Sequence, residues 1–156
     1  MPSRYDDFVN AFNKMRQRVA EREQAHHLFA DQIIAGLREH GQLPADGFQW
    51  MPLGKRGGRT GGRNEAVQFQ DDGWLHAKFR LVTRNTGWVS ALLRITEEGG
   101  AWVVMLGDKR YRMNQADEQA RIGFYQGFFD AVVAELDGIK AVTKDREVEI
   151  GFGLPN

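Results

Sequence analysis

The chain predicts an α+β domain in the order α-α-β-β-β-β-α-β, with its helices collected against one face of a four- to five-stranded antiparallel meander. Three observations carry that expectation. Apolar residues recur at three- and four-residue steps over the first forty positions and again from Gln115 to Gly138, whereas from Ala66 to Leu106 they alternate with polar ones. The alternating part is cut at short intervals by turn chemistry: Asp71-Asp72-Gly73, Asn85-Thr86-Gly87 and Glu98-Gly99-Gly100. Finally, 156 residues that are 42% hydrophobic and 11% aromatic can bury one real core, and with no internal repeat or boundary in view they read as a single domain over 1–156.

The amino-terminal helical region opens on a capping pattern, Ser3 with Asp6 three positions on. Its apolar positions form two sets: Phe8, Val9, Phe12, Met15 and Val19, then Leu28, Phe29, Ile33, Ile34 and Leu37. The polar interval Arg18–His27 between them fits one long helix with a solvated middle turn, but is read here as a junction near Gln24–His27 between two packed helices. Gly41, with Pro44 beyond it, supplies the stop.

Gln42–Asn64 shows no sustained period. Within it Gly54–Arg63 reads GKRGGRTGGR, five glycines and four cations around one threonine. Ordering so much glycine costs chain entropy that no buried side chain returns, so a mobile loop is expected. Ala66–Gln70, Trp74–Arg84, Trp88–Glu97 and Ala101–Leu106 are the four strands of the meander. Asp108–Met113 is read either as a continuation past a Gly107 bulge or as a turn of its own. Gln115–Gly138 is the clearest helix, with Asn114 as N-cap and a stripe of small residues: Ala116, Ala120, Gly123, Gly127, Ala131 and Ala134. Interior glycines weaken a helix, so close approach by another backbone is expected to compensate, which makes Gly123, Gly127 and Ala131 candidate interface residues. Glu147–Phe152 reads as a last strand at an edge, where the alternating Asp145, Glu147 and Glu149 would discourage unwanted pairing.

Function is approached by exclusion first. Charge balances at 21 basic and 21 acidic residues, so global electrostatics recommend neither nucleic acid nor an anionic membrane. Zero cysteines exclude disulfides, thiolate catalysis and thiolate metal sites. Met1–Asn10 lacks the apolar core of a signal peptide, and no run approaches the roughly 18 apolar residues of a membrane span, so a cytoplasmic protein without a membrane partner is the expectation.

Strand parity then singles out one surface. If Leu75, Ala77, Phe79 and Leu81, with Val89, Ala91, Leu93 and Ile95, face the helices, the opposite face carries Trp74, His76, Lys78, Arg80, Arg84, Trp88, Ser90 and Arg94. Indole rings can stack on bases, and cations can neutralise phosphate. The segment Gly54–Arg112 holds 11 basic against 6 acidic residues, so the neutral chain is locally polarised. The leading expectation is therefore a non-enzymatic binding protein for single-stranded or loop nucleic acid, using Trp74, Trp88, Lys78, Arg80, Arg84 and Arg94, assisted by Lys55, Arg56, Arg59 and Arg63. The alternative is a protein-interaction adaptor or homodimer, built through helix 115–138 or a sheet edge.

Enzyme chemistry comes third. His26 and His27 diverge by about 100° on a helix and cannot readily share a metal, while His40 suits a helix C-terminus. His76, with Asp71 or Asp72 in the adjacent turn, could form a general-base pair, and Ser90 is a nucleophile that no elbow signature supports. The glycine-rich decapeptide lacks the order of a nucleotide-hydrolase phosphate loop. No catalytic residue, metal or cofactor is expected from these patterns.

Overall fold

The computed structural model describes residues 3–54, 60–83 and 87–138, together with the backbone of 148–151. It is an α+β fold with a mostly antiparallel sheet and its long helices on one face. A single helix, α1, runs unbroken from Arg4 to His40, which corrects the expectation of two packed helices. The physical reason is composition: Arg18–His27 contains neither glycine nor proline, and its arginines, glutamates and alanines favour helix even where nothing packs against them. The expected cap is present, with Ser3 Oγ accepting from Asp6 N–H at 3.1 Å and Ser3 N–H donating to the Asp6 carboxylate at 3.1 Å.

After a 3-10 turn at Ala45–Gly47, strand β1 (Phe48–Trp50) leads into the glycine-rich excursion and a single-turn helix, α2 (Arg63–Ala66). The chain then returns as β2 (Val67–Phe69). Strands β1 and β2 lie end to end along the same edge of β3 (Leu75–Thr83), Phe48 opposite Leu81 and Val67 opposite Ala77. The excursion is pinned at its neck, where Gly61 N–H donates to Trp50 carbonyl and Leu53 N–H to Glu65 carbonyl. Three residues are too few for alternation to show, which is why β1 was not legible as a strand.

On its other edge β3 pairs with β4 (Gly87–Glu98), with Ala77 opposite Leu93 and Phe79 opposite Ala91. Gly99 and Gly100, at φ +57° and +79°, turn the chain tightly into β5 (Ala101–Leu106), as a two-residue hairpin requires. Gly107 at φ +65° turns it again, so Lys109–Met113 is a strand of its own, β6, paired with β5. Helix α3 (Glu118–Asp137) starts later than expected, because Asp117 rather than Asn114 is its N-cap, accepting from Ala120 N–H at 3.0 Å. Strand β7 (Val148–Gly151) lies parallel to β4 over Val89–Leu92, a correction to a purely antiparallel sheet. A parallel pair needs a long crossover, and the connection containing α3 supplies it. Asp145 and Glu147 lie outside the described residues, as does the side chain of Glu149.

The core is the filling between sheet and helices. Phe29, Ile33 and Leu37 of α1 and Phe124, Phe128 and Val132 of α3 meet Leu75, Ala77 and Phe79 of β3, the inward residues of β4, and Trp102, Val104 and Leu106 of β5. Phe29 stacks on Trp102 with ring centroids 4.5 Å apart and planes 5° from parallel. The two helices approach at Gly36, where a methyl group would collide with the hydroxyl of the buried Tyr125. Every buried residue of α1 lies at or beyond His26. At 1.5 Å per residue the helix is about 55 Å long, so its first 21 or so residues project roughly 30 Å from the body.

Candidate binding surfaces

Strand parity holds on the inner face: Leu75, Ala77, Phe79, Val89, Ala91, Leu93 and Ile95 are all buried in the core. The opposite face is not the open, basic platform that parity alone suggests. Met51, the residue after β1, is buried, and Ser90 Oγ donates to its sulfur at 3.2 Å, so the excursion begins by laying a thioether over this side of the sheet. Ser90 is 1% exposed, Lys78 6% and Leu92 9%. Lys78 is therefore largely withdrawn from solvent, unlike a cation laid out on an open face.

The two indoles occupy opposite ends of this face. Trp88 is opposite Val82, and Trp74 precedes Leu75 at the other end of β3. Eight strand residues separate positions 82 and 74, about 26 Å at 3.3 Å per residue. They cannot stack on each other or on successive bases. Each half-buried ring is instead covered by an arginine of its own chain: the Arg80 guanidinium carbon sits 4.5 Å from the Trp88 ring centre, and that of Arg94 5.4 Å from Trp74. Arg80 Nε also donates to Gln49 Oε1 at 2.7 Å. The indole Nε1–H of Trp88 is buried and meets no acceptor among the described residues.

Arg63 belongs to a different surface altogether. The α2 turn places it against α1, where its guanidinium bonds Asp31 at 2.8 Å and lies 3.3 Å from His27 Nδ1. Burial and then the Arg63 charge hold the His27 pKa below the ordinary histidine value. The structure thus separates Arg63 from the cations of the outer sheet face. Lys55, Arg56, Arg59 and Arg84 lie outside the described residues.

The His76–Asp72 pair does form, Nε2 to Oδ2 at 2.9 Å. Asp72 Oδ1 accepts from Trp74 N–H at 3.0 Å, an Asx turn that makes the carboxylate a turn former. Burial opposes its ionisation, but the Trp74 N–H, the His76 ring and the Arg94 charge outweigh that and lower its pKa. Ser90 is no part of this group. His76 is opposite Arg94, four residues and about 13 Å along the strand from Ser90. Among the described residues no three His, Asp or Glu side chains converge as a metal site.

On α3 the small residues answer to intrachain packing. The ring of Tyr111, on β6, lies over Gly127, leaving no room for a methyl group beside its hydroxyl. Gly123 faces open space and is exposed, and Ala131 is half-buried against the core. The close approach that Gly127 accommodates is a tyrosine of the same chain, so these positions do not form one continuous interface stripe.

Of the eight exposed large hydrophobics among the described residues, five lie on the projecting half of α1, and the others are Leu28 on α1 and Val133 and Leu136 on α3. Every residue from Ser3 to Gln24 is exposed except the half-buried Val9. Tyr5, Phe8, Phe12, Met15 and Val19 are among the exposed large hydrophobics, at 72%, 63% and 46% for the three aromatics. Their spacing, three, four, three and four, is a heptad seam with a positions at Tyr5, Phe12 and Val19 and d positions at Phe8 and Met15. Sequence reading found all of these but Tyr5 and read them as the apolar positions of the first of two packed helices. In the structure the two stretches differ in width: the part packed on the body buries a broad stripe, His26, Phe29, Ala30, Ile33, Ile34 and Leu37, whereas the exposed line is the narrower seam of helix pairing.

His26 stands where the two stripes meet. It is fully buried, edge-on to Phe69 and Trp102 at 5.0 and 4.9 Å, with Nδ1 2.7 Å from the Arg22 carbonyl. That contact makes Nδ1 the protonated nitrogen in the neutral ring, leaving Nε2 as an acceptor with no donor among the described residues. Burial is the chief reason its pKa falls below the ordinary value. Among the described residues no helix is long and apolar enough to cross a membrane. Set against protein-family models, curated proteins and solved structures, the chain matches none.

Proposed function

We propose that this protein is a protein-interaction module whose docking element is the projecting half of α1. One observation carries the reading: an exposed a/d seam from Tyr5 to Val19 on a helix that the folded body holds out into solvent. A lone helix of this length is marginal in water, because nucleation is costly. Here the body nucleates it, so a partner helix meets a surface whose ordering is largely complete, which raises affinity without new contacts. The expected result is that the chain associates through residues 4–24 and that Phe8→Glu with Phe12→Glu abolishes association while leaving the unfolding midpoint of the body unchanged. Sedimentation velocity and hydrogen exchange on the full chain measure both. A monomer whose 4–24 amides are nonetheless strongly protected would overturn the reading, since its own chain would then cover the seam.

A second reading keeps the outer sheet face as a nucleic-acid surface, reduced to two corners, Trp74 with Arg94 and Trp88 with Arg80. What favours it is the pairing of a half-buried indole with a guanidinium at each corner and the unmet Trp88 Nε1–H. On this reading mixed single-stranded oligonucleotides quench tryptophan emission, the effect falls steeply with salt, and Trp74→Ala or Trp88→Ala each costs about 1–3 kcal/mol of binding. Equal binding by the doubly substituted chain would refute it.

A further inference from the structure

We infer that the occupant of the α1 seam is the same segment of a second copy of this chain, running antiparallel, with Phe12 opposite Met15 of the other copy. The inference rests on the interaction reading above and commits it to one partner and one register.

Direction follows from where the seam points. At 100° per residue, residue 12 lies directly over residue 30, so the exposed stripe faces the same side as the stripe that meets the sheet. A parallel second helix laid on the seam would run into the chain's own sheet beyond residue 25. It would also place Arg22, the next d position, against Arg22 of the other copy, burying like charges, although it would gain a pairing of Arg18 with Glu23 across the flank. An antiparallel helix meets neither obstacle. Each helix starts where the other's body begins, so the lengths of the two projections match.

Register follows from satisfying every exposed large apolar residue of the seam. With Phe12 opposite Met15 the flanking layers are Phe8 opposite Val19 and Tyr5 opposite Arg22, each repeated by the two-fold axis. All five exposed apolar side chains find a partner, and Arg22 meets an aromatic ring rather than another cation. Along the flanks Arg18 falls opposite Ala11, Arg16 opposite Val9 and Arg4 opposite Ala25, so no like charges face each other. The exposed parts of these apolar side chains, over both copies, come to roughly 1,000 Å², about the area at which a specific interface begins.

The test uses the full chain, which has no cysteine, so one introduced thiol carries one spin label. Asn10→Cys and Gln24→Cys lie on the outer side of the seam helix, both exposed. In the antiparallel register the two labels at position 10 are offset along the axis by about 10 Å, and those at position 24 by about 31 Å. A dimer by sedimentation with the position-24 distance longer by more than about 10 Å is the expected result. Equal distances at the two positions mean a parallel pair, which overturns this inference and leaves the docking reading standing. A monomer with unprotected 4–24 amides overturns self-pairing and leaves the seam for another chain. A monomer with protected amides overturns both.

Discussion

Replacing Phe29 by alanine is expected to cost about 3–5 kcal/mol of folding free energy, and replacing Phe12 by alanine less than about 0.5 kcal/mol, although both are phenylalanines of one helix. Phe29 is 1% exposed and lies flat on Trp102 inside the core, so its removal loses transfer energy and leaves a cavity that the stacked indole cannot fill without moving. Phe12 is 46% exposed and lies well before His26, the first buried residue of α1, and alanine is the better helix former. Native stability is of order 5–15 kcal/mol, so the first substitution removes a large share of it. Urea unfolding at a concentration where the chain is monomeric compares the two directly. A Phe12→Ala loss comparable with that of Phe29→Ala would mean that the seam is packed against its own domain.

Acid is expected to destabilise the fold in a window set by two adjacent histidines. His26 and His27 both have pKa values lowered by folding, chiefly by burial, so the unfolded chain binds protons that the folded one resists. Their contribution is fully present above the unfolded value near 6.5 and is lost as pH falls below it toward the folded values. Asp72, also lowered, acts in the same sense in a separate, more acidic window below its usual carboxylate value of 3.8. The midpoint in urea should therefore fall between pH about 7.5 and about 5.5, on either side of the ordinary imidazole value. His26→Phe, which suits the cage of Phe69 and Trp102, should flatten that fall even though it gives up the bond to the Arg22 carbonyl. An unchanged slope in the variant would assign the window to other groups.

The position of His26 joins these two expectations. It is the first buried residue of α1, and from there the helix packs on the sheet, whereas before it the described contacts lie along the helix itself: backbone bonds, the cap, the Gln17–Glu21 bond and the Tyr5–Phe8–Phe12 rings. Charging that ring acts on the anchorage of the projecting half. Hydrogen exchange at residues 4–24 should rise with the same acid window, and more in a monomer than in an assembled form.

The alternation of Leu75, Ala77 and Phe79 against Val89, Ala91, Leu93 and Ile95 was enough to establish the meander and its inward face, because side-chain parity in a strand is a local property. The same parity named Trp74, Trp88, Arg80 and Arg94 as residents of the other face, where the structure has them. It could not foresee that Met51 would cross to Ser90 and close the middle of that face, or that Arg63 would be drawn to Asp31 on α1. Those are meetings of residues 39 and 32 positions apart, which no window of sequence contains. Gly127 likewise looked like an invitation to a partner helix until Tyr111, from the strand before it, was seen lying on it.

By itself the sequence determined the fold class, the inner face of the sheet and the helical periodicity of residues 4–40, all consequences of chemistry repeated every two or every three to four positions. Only the tertiary structure decided which stretch of that periodicity is core and which is surface, because a heptad line is equally apolar whether a sheet lies against it or water does. Burial depends on where the helix ends relative to the body it packs on, and α1 outruns the sheet by some 30 Å.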